Sequence, residues 1–119
     1  MSTTTHEVTD ADTAAALGSG DLAVLATPRM IAWMEAVTVA TVAPDLPKAS
    51  TTVGTAIRVR HRRPTAVGGR LEVTAEVTSG GVDDGKLTFR VAAVDADGTT
   101  VGDGEIDRAV VPREGFVPA

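Results

Sequence analysis

The spacing of apolar residues changes once along this chain, and that change constrains the fold more than any other feature. A helical repeat of i, i+3, i+4, i+7 is formed by Met30, Trp33, Met34 and Val37. Thr27 is a favourable N-cap and Pro28 suits the first helical position, so the spacing predicts a helix from Pro28 to Val42. Prolines soon after it prevent its continuation. After Ala49 the period is two, which is typical of β-strands.

The period-two region divides into strand-like runs separated by glycine-rich turns. These runs are Ser50–Arg62, Leu71–Thr78, Lys86–Asp95 and Thr99–Val111. One long helix and an antiparallel meander bury both apolar faces most simply when the sheet wraps around the helix. We therefore predict an α+β hotdog arrangement, as a single domain over residues 1–119. Residues 1–12 are expected to form either a loose arm or an edge strand, and residues 14–17 a short helix.

Composition excludes several classes of function. Eleven Lys and Arg residues against sixteen Asp and Glu residues give a formal charge of −5, which argues against sequence-independent nucleic-acid binding. Because there is no cysteine, disulfides, thiolate nucleophiles and thiolate metal sites are excluded. Two histidines do not favour a zinc site, and we expect neither a metal nor a cofactor. No run approaches the roughly 20 apolar residues of a membrane span and no secretory signal is visible, so a cytoplasmic protein without membrane association is expected.

Side chains of the first long run alternate between its two faces. One face, expected to lie against the helix, carries Thr51, Val53, Thr55, Ile57, Val59 and His61. The other, expected to face outward, carries Thr52, Gly54, Ala56, Arg58, Arg60 and Arg62. His61 would therefore lie at the end of a row of buried side chains. The arginines, with Arg63 beside Pro64, either hold phosphates or form an ordinary solvated sheet face.

Three residues are candidates for chemistry, and each also has a structural interpretation. Glu35 lies within the apolar helix and is either paired or solvated on its outer stripe, since a lone buried acid is costly. His61 is either a general base or a hydrogen-bonded strand-end residue. Thr27 is on local grounds a helix cap. Gly54 inside a strand indicates a bulge or a close approach of another group, and His6 is expected on the surface.

Taken together, the motifs resemble the hotdog-fold thioesterases similar to fluoroacetyl-CoA thioesterase. The resemblance covers residues 21–116 and is carried by Leu25-Ala26-Thr27-Pro28, Met34-Glu35-Ala36, Val53-Gly54-Thr55-Ala56-Ile57, Val59-Arg60-His61 and Arg108-Ala109-Val110. In that family a Thr at the helix start, a Glu eight residues later and a His 26 residues beyond form the catalytic set. Here the same spacing joins Thr27, Glu35 and His61.

The resemblance implies a thioester hydrolase without a cofactor that acts on an acyl-CoA. The acyl group would lie near Gly54. Apart from the resemblance, Arg63 is a candidate substrate-binding residue because a phosphate could be reached from its position at the strand end. His61 is the natural base, while Glu35 either orients the imidazole, activates water or attacks the carbonyl. Thr27 either donates a hydrogen bond or acts as nucleophile, and free N–H groups at the helix start can receive the thioester oxygen.

Helix geometry adds an expectation about assembly. Eight residues at about 1.5 Å each separate Thr27 from Glu35 by about 12 Å, so the two side chains are not expected to touch. Either the substrate and His61 lie between them or one comes from a second subunit. Because hotdog domains usually dimerise and build their sites at the interface, a homodimer is expected.

Two departures from the family bear on the substrate. The segment before Thr27 reads Asp21-Leu22-Ala23-Val24-Leu25 and lacks the bulky aromatics of the family's lid, so selectivity for a fluorinated substrate is not carried over. Ile106 stands where many relatives have His. A small or medium acyl-CoA is the expected substrate. A hotdog module that binds an apolar ligand without turnover is the alternative, and an enoyl-CoA hydratase ranks last.

Overall fold

A five-stranded antiparallel sheet and a long helix form the computed structural model, which describes residues 1–118. The strands are β1 (Ser2–Glu7), β2 (Ser50–His61), β3 (Arg70–Gly81), β4 (Lys86–Asp95) and β5 (Thr100–Pro112). The helices are α1 (Ala14–Leu17) and α2 (Thr27–Val42). The order β1-β3-β4-β5-β2 leaves β1 and β2 at the sheet edges. The predicted arrangement of an antiparallel sheet around one long helix is confirmed.

The core lies between α2 and the inner face of the sheet. Helix α2 contributes Met30, Met34 and Val37, all fully buried, and β4 contributes Phe89 and Val91. The helix packs mainly over β3, β1 and β4, at one side of the sheet. The inner face of β2 is therefore less covered, and Ile57 on that face remains 42% exposed.

The N-terminal segment forms an edge strand rather than a loose arm. β1 pairs with β3 in antiparallel register, which brings its inner side chains beside α2. His6 stacks on Trp33 with ring centroids 4.3 Å apart and an interplanar angle of 7°, and its Nε2 lies 2.9 Å from Thr4 Oγ1. The prediction that His6 is a surface residue is wrong, because strand pairing places it against the helix.

A β-bulge interrupts β2 between Gly54 and Ala56. Gly54 lies opposite Arg108 of β5, and Ala56 lies opposite Asp107, so Thr55 has no partner on β5. An extra residue of this kind reverses which face the following side chains occupy. Before the bulge, Thr52 and Gly54 therefore face α2.

The bulge corrects half of the predicted face assignment. Ile57, Val59 and His61 face the helix side as expected, and Arg58, Arg60 and Arg62 face outward. Thr51 and Val53 lie on the outer face instead, and Thr55 is the extra residue. The prediction for these three is wrong because it assumed an uninterrupted alternation.

Strand β3 extends beyond the predicted run Leu71–Thr78. Gly80 and Gly81 continue β3, paired with Leu87 and Lys86. A 3-10 turn over residues 82–84 then reverses the chain, and Gly85 follows with a φ of 75°, a conformation that suits glycine. Across residues 1–118, no helix combines the length and hydropathy that crossing a bilayer requires.

Candidate active site

The first residue of α2 makes a side-chain contact with the last residue of β2. Thr27 Oγ1 lies 2.8 Å from His61 Nδ1. The N-cap of α2 is Ala26, which has no side-chain acceptor, so the prediction that Thr27 caps the helix is wrong. Thr27 instead occupies the first helical position, and this leaves its hydroxyl free to reach the imidazole.

The surroundings of His61 keep its ring neutral near pH 7. The imidazole is half-buried, and burial lowers its pKa, an effect that the neighbouring Arg63 backbone offsets only in part. Nε2 is buried and makes no hydrogen bond within residues 1–118. A neutral ring whose Nδ1 accepts a hydrogen bond from Thr27 carries its proton on Nε2.

The start of α2 also offers an unused backbone donor. Among the described residues, no hydrogen bond is donated by the Thr27 N–H, and Pro28 has no N–H. The first N–H groups of a helix lie at the positive end of its dipole. An oxyanion beside the Thr27 hydroxyl would therefore find a favourable position.

A cleft of about 280 Å³ opens onto the Thr27–His61 pair. It is lined by Ala14, Ser19, Val24, Leu25, Thr27, His61, Arg62, Arg63 and Pro64. Its lining combines apolar residues with two arginines, Arg62 and Arg63. The structure thus places Arg63, a predicted substrate-binding residue, beside the Thr27–His61 pair.

Glu35 belongs to a second group of side chains, on the inner face of the sheet. Its Oε2 accepts a hydrogen bond of 3.1 Å from Arg108 Nη1. The carboxylate is 37% exposed, whereas the Arg108 side chain is only 7% exposed. Glu35 is therefore ion-paired and only partly solvated, which answers the choice that the sequence left open.

Arg108 is held in place by β2. Its Nε donates to Thr52 Oγ1 at 2.9 Å, and its Nη2 donates to the Thr52 carbonyl at 3.0 Å. With Nη1 on Glu35, all three nitrogens of the guanidinium donate a hydrogen bond, so the buried charge is well satisfied.

Sequence reasoning did not assign a role to Arg108, although its position carried a signal. Arg108 alternates with the buried Ile106 and the partly buried Val110, so it occupies an inward-facing position of β5. A charge at such a position requires a partner. Ile106 is a fully buried core residue.

Gly54 forms the wall against which the Glu35 carboxylate lies. A Cβ placed on Gly54 would lie 2.7 Å from Glu35 Oε2 and 3.4 Å from Arg108 Nη1. The missing side chain therefore makes room for the ion pair. This is the close approach that a glycine inside a strand indicates.

Within one chain the predicted site residues form two groups. Thr27 pairs with His61 at the start of α2, and Glu35 pairs with Arg108 two turns further along the helix. No hydrogen bond joins the two groups within the described part of the chain. The separation agrees with the helix rise of about 12 Å over eight residues.

Comparisons with known proteins point to one family. A family model described as fluoroacetyl-CoA-specific thioesterase matches residues 8–114. The fluoroacetyl-CoA thioesterase of Streptantibioticus cattleyicolor is 39% identical over 93 residues, which are 78% of this chain and 65% of that protein. The match thus spans less than two thirds of the curated relative's length.

Solved structures agree with this assignment. A structure of the fluoroacetyl-CoA thioesterase FlK has a TM-score of 0.87 and 32% identity, and the match covers 97% of this chain and 87% of that chain. A mutant of the same enzyme, in complex with fluoroacetate and CoA, has a TM-score of 0.88. A thioesterase superfamily member from Thermus thermophilus has a TM-score of 0.80 and 25% identity, covering 93% of this chain and 80% of that one.

Proposed function

The chain belongs to the fluoroacetyl-CoA-specific thioesterase family, and from this we propose that it hydrolyses the thioester bond of a small or medium acyl-CoA. The observation that carries the proposal is the 2.8 Å contact between Thr27 Oγ1 and His61 Nδ1 at the start of α2. A hydroxyl, a neutral imidazole and a free backbone N–H meet there beside a cleft. These are a nucleophile, a general base and an oxyanion donor for acyl transfer.

In the proposed reaction the thioester carbonyl oxygen faces the Thr27 N–H. The Thr27 hydroxyl attacks the carbonyl carbon and gives its proton to His61 Nδ1. The C–S bond breaks, the imidazolium returns that proton to the leaving sulfur, and CoA departs as the thiol. Water then attacks the Thr27 ester with His61 again as base, which releases the carboxylic acid and restores the hydroxyl. One water is consumed for each thioester.

The role of Glu35 depends on assembly, and we propose a homodimer formed through β2. This strand is a sheet edge with β5 as its neighbour, and its inner face leaves Ile57 exposed. A second copy paired antiparallel across this edge, about a two-fold axis near Ile57, would set His61 opposite Gly54 of the partner subunit. Glu35 of the partner subunit, which lies against that glycine, would then reach the Thr27–His61 cleft and orient the imidazole or water.

The assembly has a direct test in the edge strand. Ile57→Lys introduces charges close to the proposed axis and is expected to give a monomer by light scattering, with thiol release reduced at least tenfold. Val67→Lys changes an equally exposed residue outside the sheet and serves as control. A fully active monomeric wild type would contradict the proposal.

The residues that line the cleft bear on which acyl-CoA is preferred. Val24 and Leu25 line it, and no aromatic side chain does. We therefore do not propose fluoroacetyl-CoA as the preferred substrate. Because CoA thioesters are made and used inside cells, we propose a cytoplasmic location.

The test of the function is thiol release from acyl-CoAs of increasing chain length. His61→Gln and Glu35→Gln are compared with His6→Gln and Glu76→Gln, which change the same residue types outside the cleft. Loss of the base is expected to slow turnover 10²- to 10⁴-fold. Ligand-dependent melting shifts without thiol release would support the binding-module alternative instead.

A further inference from the structure

The outer face of β2 carries an unusual concentration of arginine for an acidic chain. Arg58, Arg60 and Arg62 project from this face, and Arg63 follows directly. Arg90 on β4 faces the same side, because it shares a row across β5 with Arg58. The whole chain has eleven Lys and Arg residues and a formal charge of −5, so this cluster is a local feature.

These arginines surround a depression in the sheet surface. It has a volume of about 180 Å³ and is lined by Arg58, Arg60, Arg62, Arg90, Asp103 and Gly104. Gly104 has a φ of 155°, and a Cβ there would collide with the Arg58 carbonyl. A residue with a side chain is therefore excluded at position 104.

Two of the four arginines already have carboxylate partners. Arg58 donates to both oxygens of Asp107, at 2.8 and 3.0 Å, and Arg62 Nε donates to Asp103 at 2.8 Å. These bonds fix the two guanidinium groups at the rim of the depression.

The other two arginines have no such partner. Arg60 and Arg90 form no ion pair with any residue in the range 1–118, although Glu76 and Glu105 flank Arg90 on the neighbouring strands. Two exposed guanidinium groups at one depression are suited to bidentate binding of phosphate oxygens.

The depression and the candidate active-site cleft share one lining residue. Arg62 lines both the depression and the cleft that contains Thr27 and His61. His61 and Arg58 are three residues apart, about 10 Å along a strand. The pantetheine arm of CoA, which separates its sulfur from its phosphates, is long enough to pass from the cleft around the end of β2.

We infer that this depression binds the phosphates of the nucleotide end of acyl-CoA, with Arg60 and Arg90 as the principal ligands. The inference rests on the proposed function, since it names the part of the substrate that remains outside the cleft. Arg58 and Arg62, already oriented by carboxylates, contribute positive potential at the rim.

Binding can be tested without catalysis by titrating adenosine 3′,5′-bisphosphate into the full-length protein. The double variant Arg60→Gln/Arg90→Gln is expected to bind at least tenfold more weakly than wild type. The control Arg70→Gln lies in β3, which β4 and β5 separate from β2, and is expected to bind as wild type does. An unchanged affinity in the double variant, an equal loss in Arg70→Gln or no binding by wild type would each overturn the inference.

A kinetic measurement separates this inference from the proposed function. The ratio of kcat/KM for an acyl-CoA to that for the matching N-acetylcysteamine thioester is expected to fall at least tenfold in the double variant, and an unchanged ratio would overturn the inference. If wild type hydrolyses neither thioester, the proposed function fails while the titration still decides whether the nucleotide binds.

Discussion

Replacing Gly54 by Ala is the most direct perturbation of the Glu35 group. The added Cβ would lie 2.7 Å from Glu35 Oε2, while ordinary contact begins near 3.4 Å, so the carboxylate must retreat by roughly 0.7 Å. Arg108 cannot follow, because two hydrogen bonds hold it to Thr52. The 3.1 Å bond between Arg108 and Glu35 is then lost. A charge-assisted hydrogen bond at a partly exposed carboxylate contributes about 1.5 kcal/mol, or about tenfold in rate if the reaction requires the carboxylate in place.

Thiol release from an acyl-CoA measures this effect. Gly54→Ala is expected to lower kcat about tenfold and to shift the melting temperature by only a few degrees. Gly81→Ala is the matched control, since its Cβ would meet Asp84 Oδ2 at an ordinary 3.8 Å. If Gly54→Ala turns over at the wild-type rate, the contact between Glu35 and the Gly54 wall has no part in the reaction.

Three further outcomes are expected. Burial lowers the pKa of His61 from 6.5, so the neutral base persists at pH values below 6.5. The decrease of kcat/KM on the acid side should therefore have its midpoint below pH 6.5. A midpoint above that value would contradict the assignment of His61 as the base. Phe89→Ala removes a fully buried ring and should cost about 3–5 kcal/mol of unfolding free energy, measured in urea. Thr52→Val leaves the buried Arg108 Nε without an acceptor and should cost about 1–3 kcal/mol, whereas a stability equal to wild type would show that water replaces the hydroxyl.

The helix and the strands were predictable because each rests on a local repeat of apolar residues. Met30, Met34 and Val37 face the core as their spacing indicates. The strand boundaries differ by a few residues, and the extension of β3 through Gly80 and Gly81 depends on pairing with β4, which no local pattern encodes.

The candidate site was predictable only in part. The family resemblance pointed to Thr27, Glu35 and His61, and the helix rise predicted that Thr27 and Glu35 do not touch. Neither predicted that Thr27 contacts His61 while Glu35 pairs with Arg108. Arg108 was missed because its partners, Thr52 and Glu35, lie 56 and 73 residues away in sequence. Contacts of that range depend on tertiary structure, so spacing alone does not reveal them.

The extra residue at Thr55 has a consequence for how the cleft can change through mutation. Gly54 and His61 are seven residues apart, an odd number, so a regular strand would direct them to opposite sides of the sheet. They share the inner side because the bulge changes the parity of the strand between them. Loss of the Thr55 codon would keep every functional side chain yet turn one end of β2 over. We therefore expect substitutions throughout β2 to be tolerated better than any single-codon deletion within it.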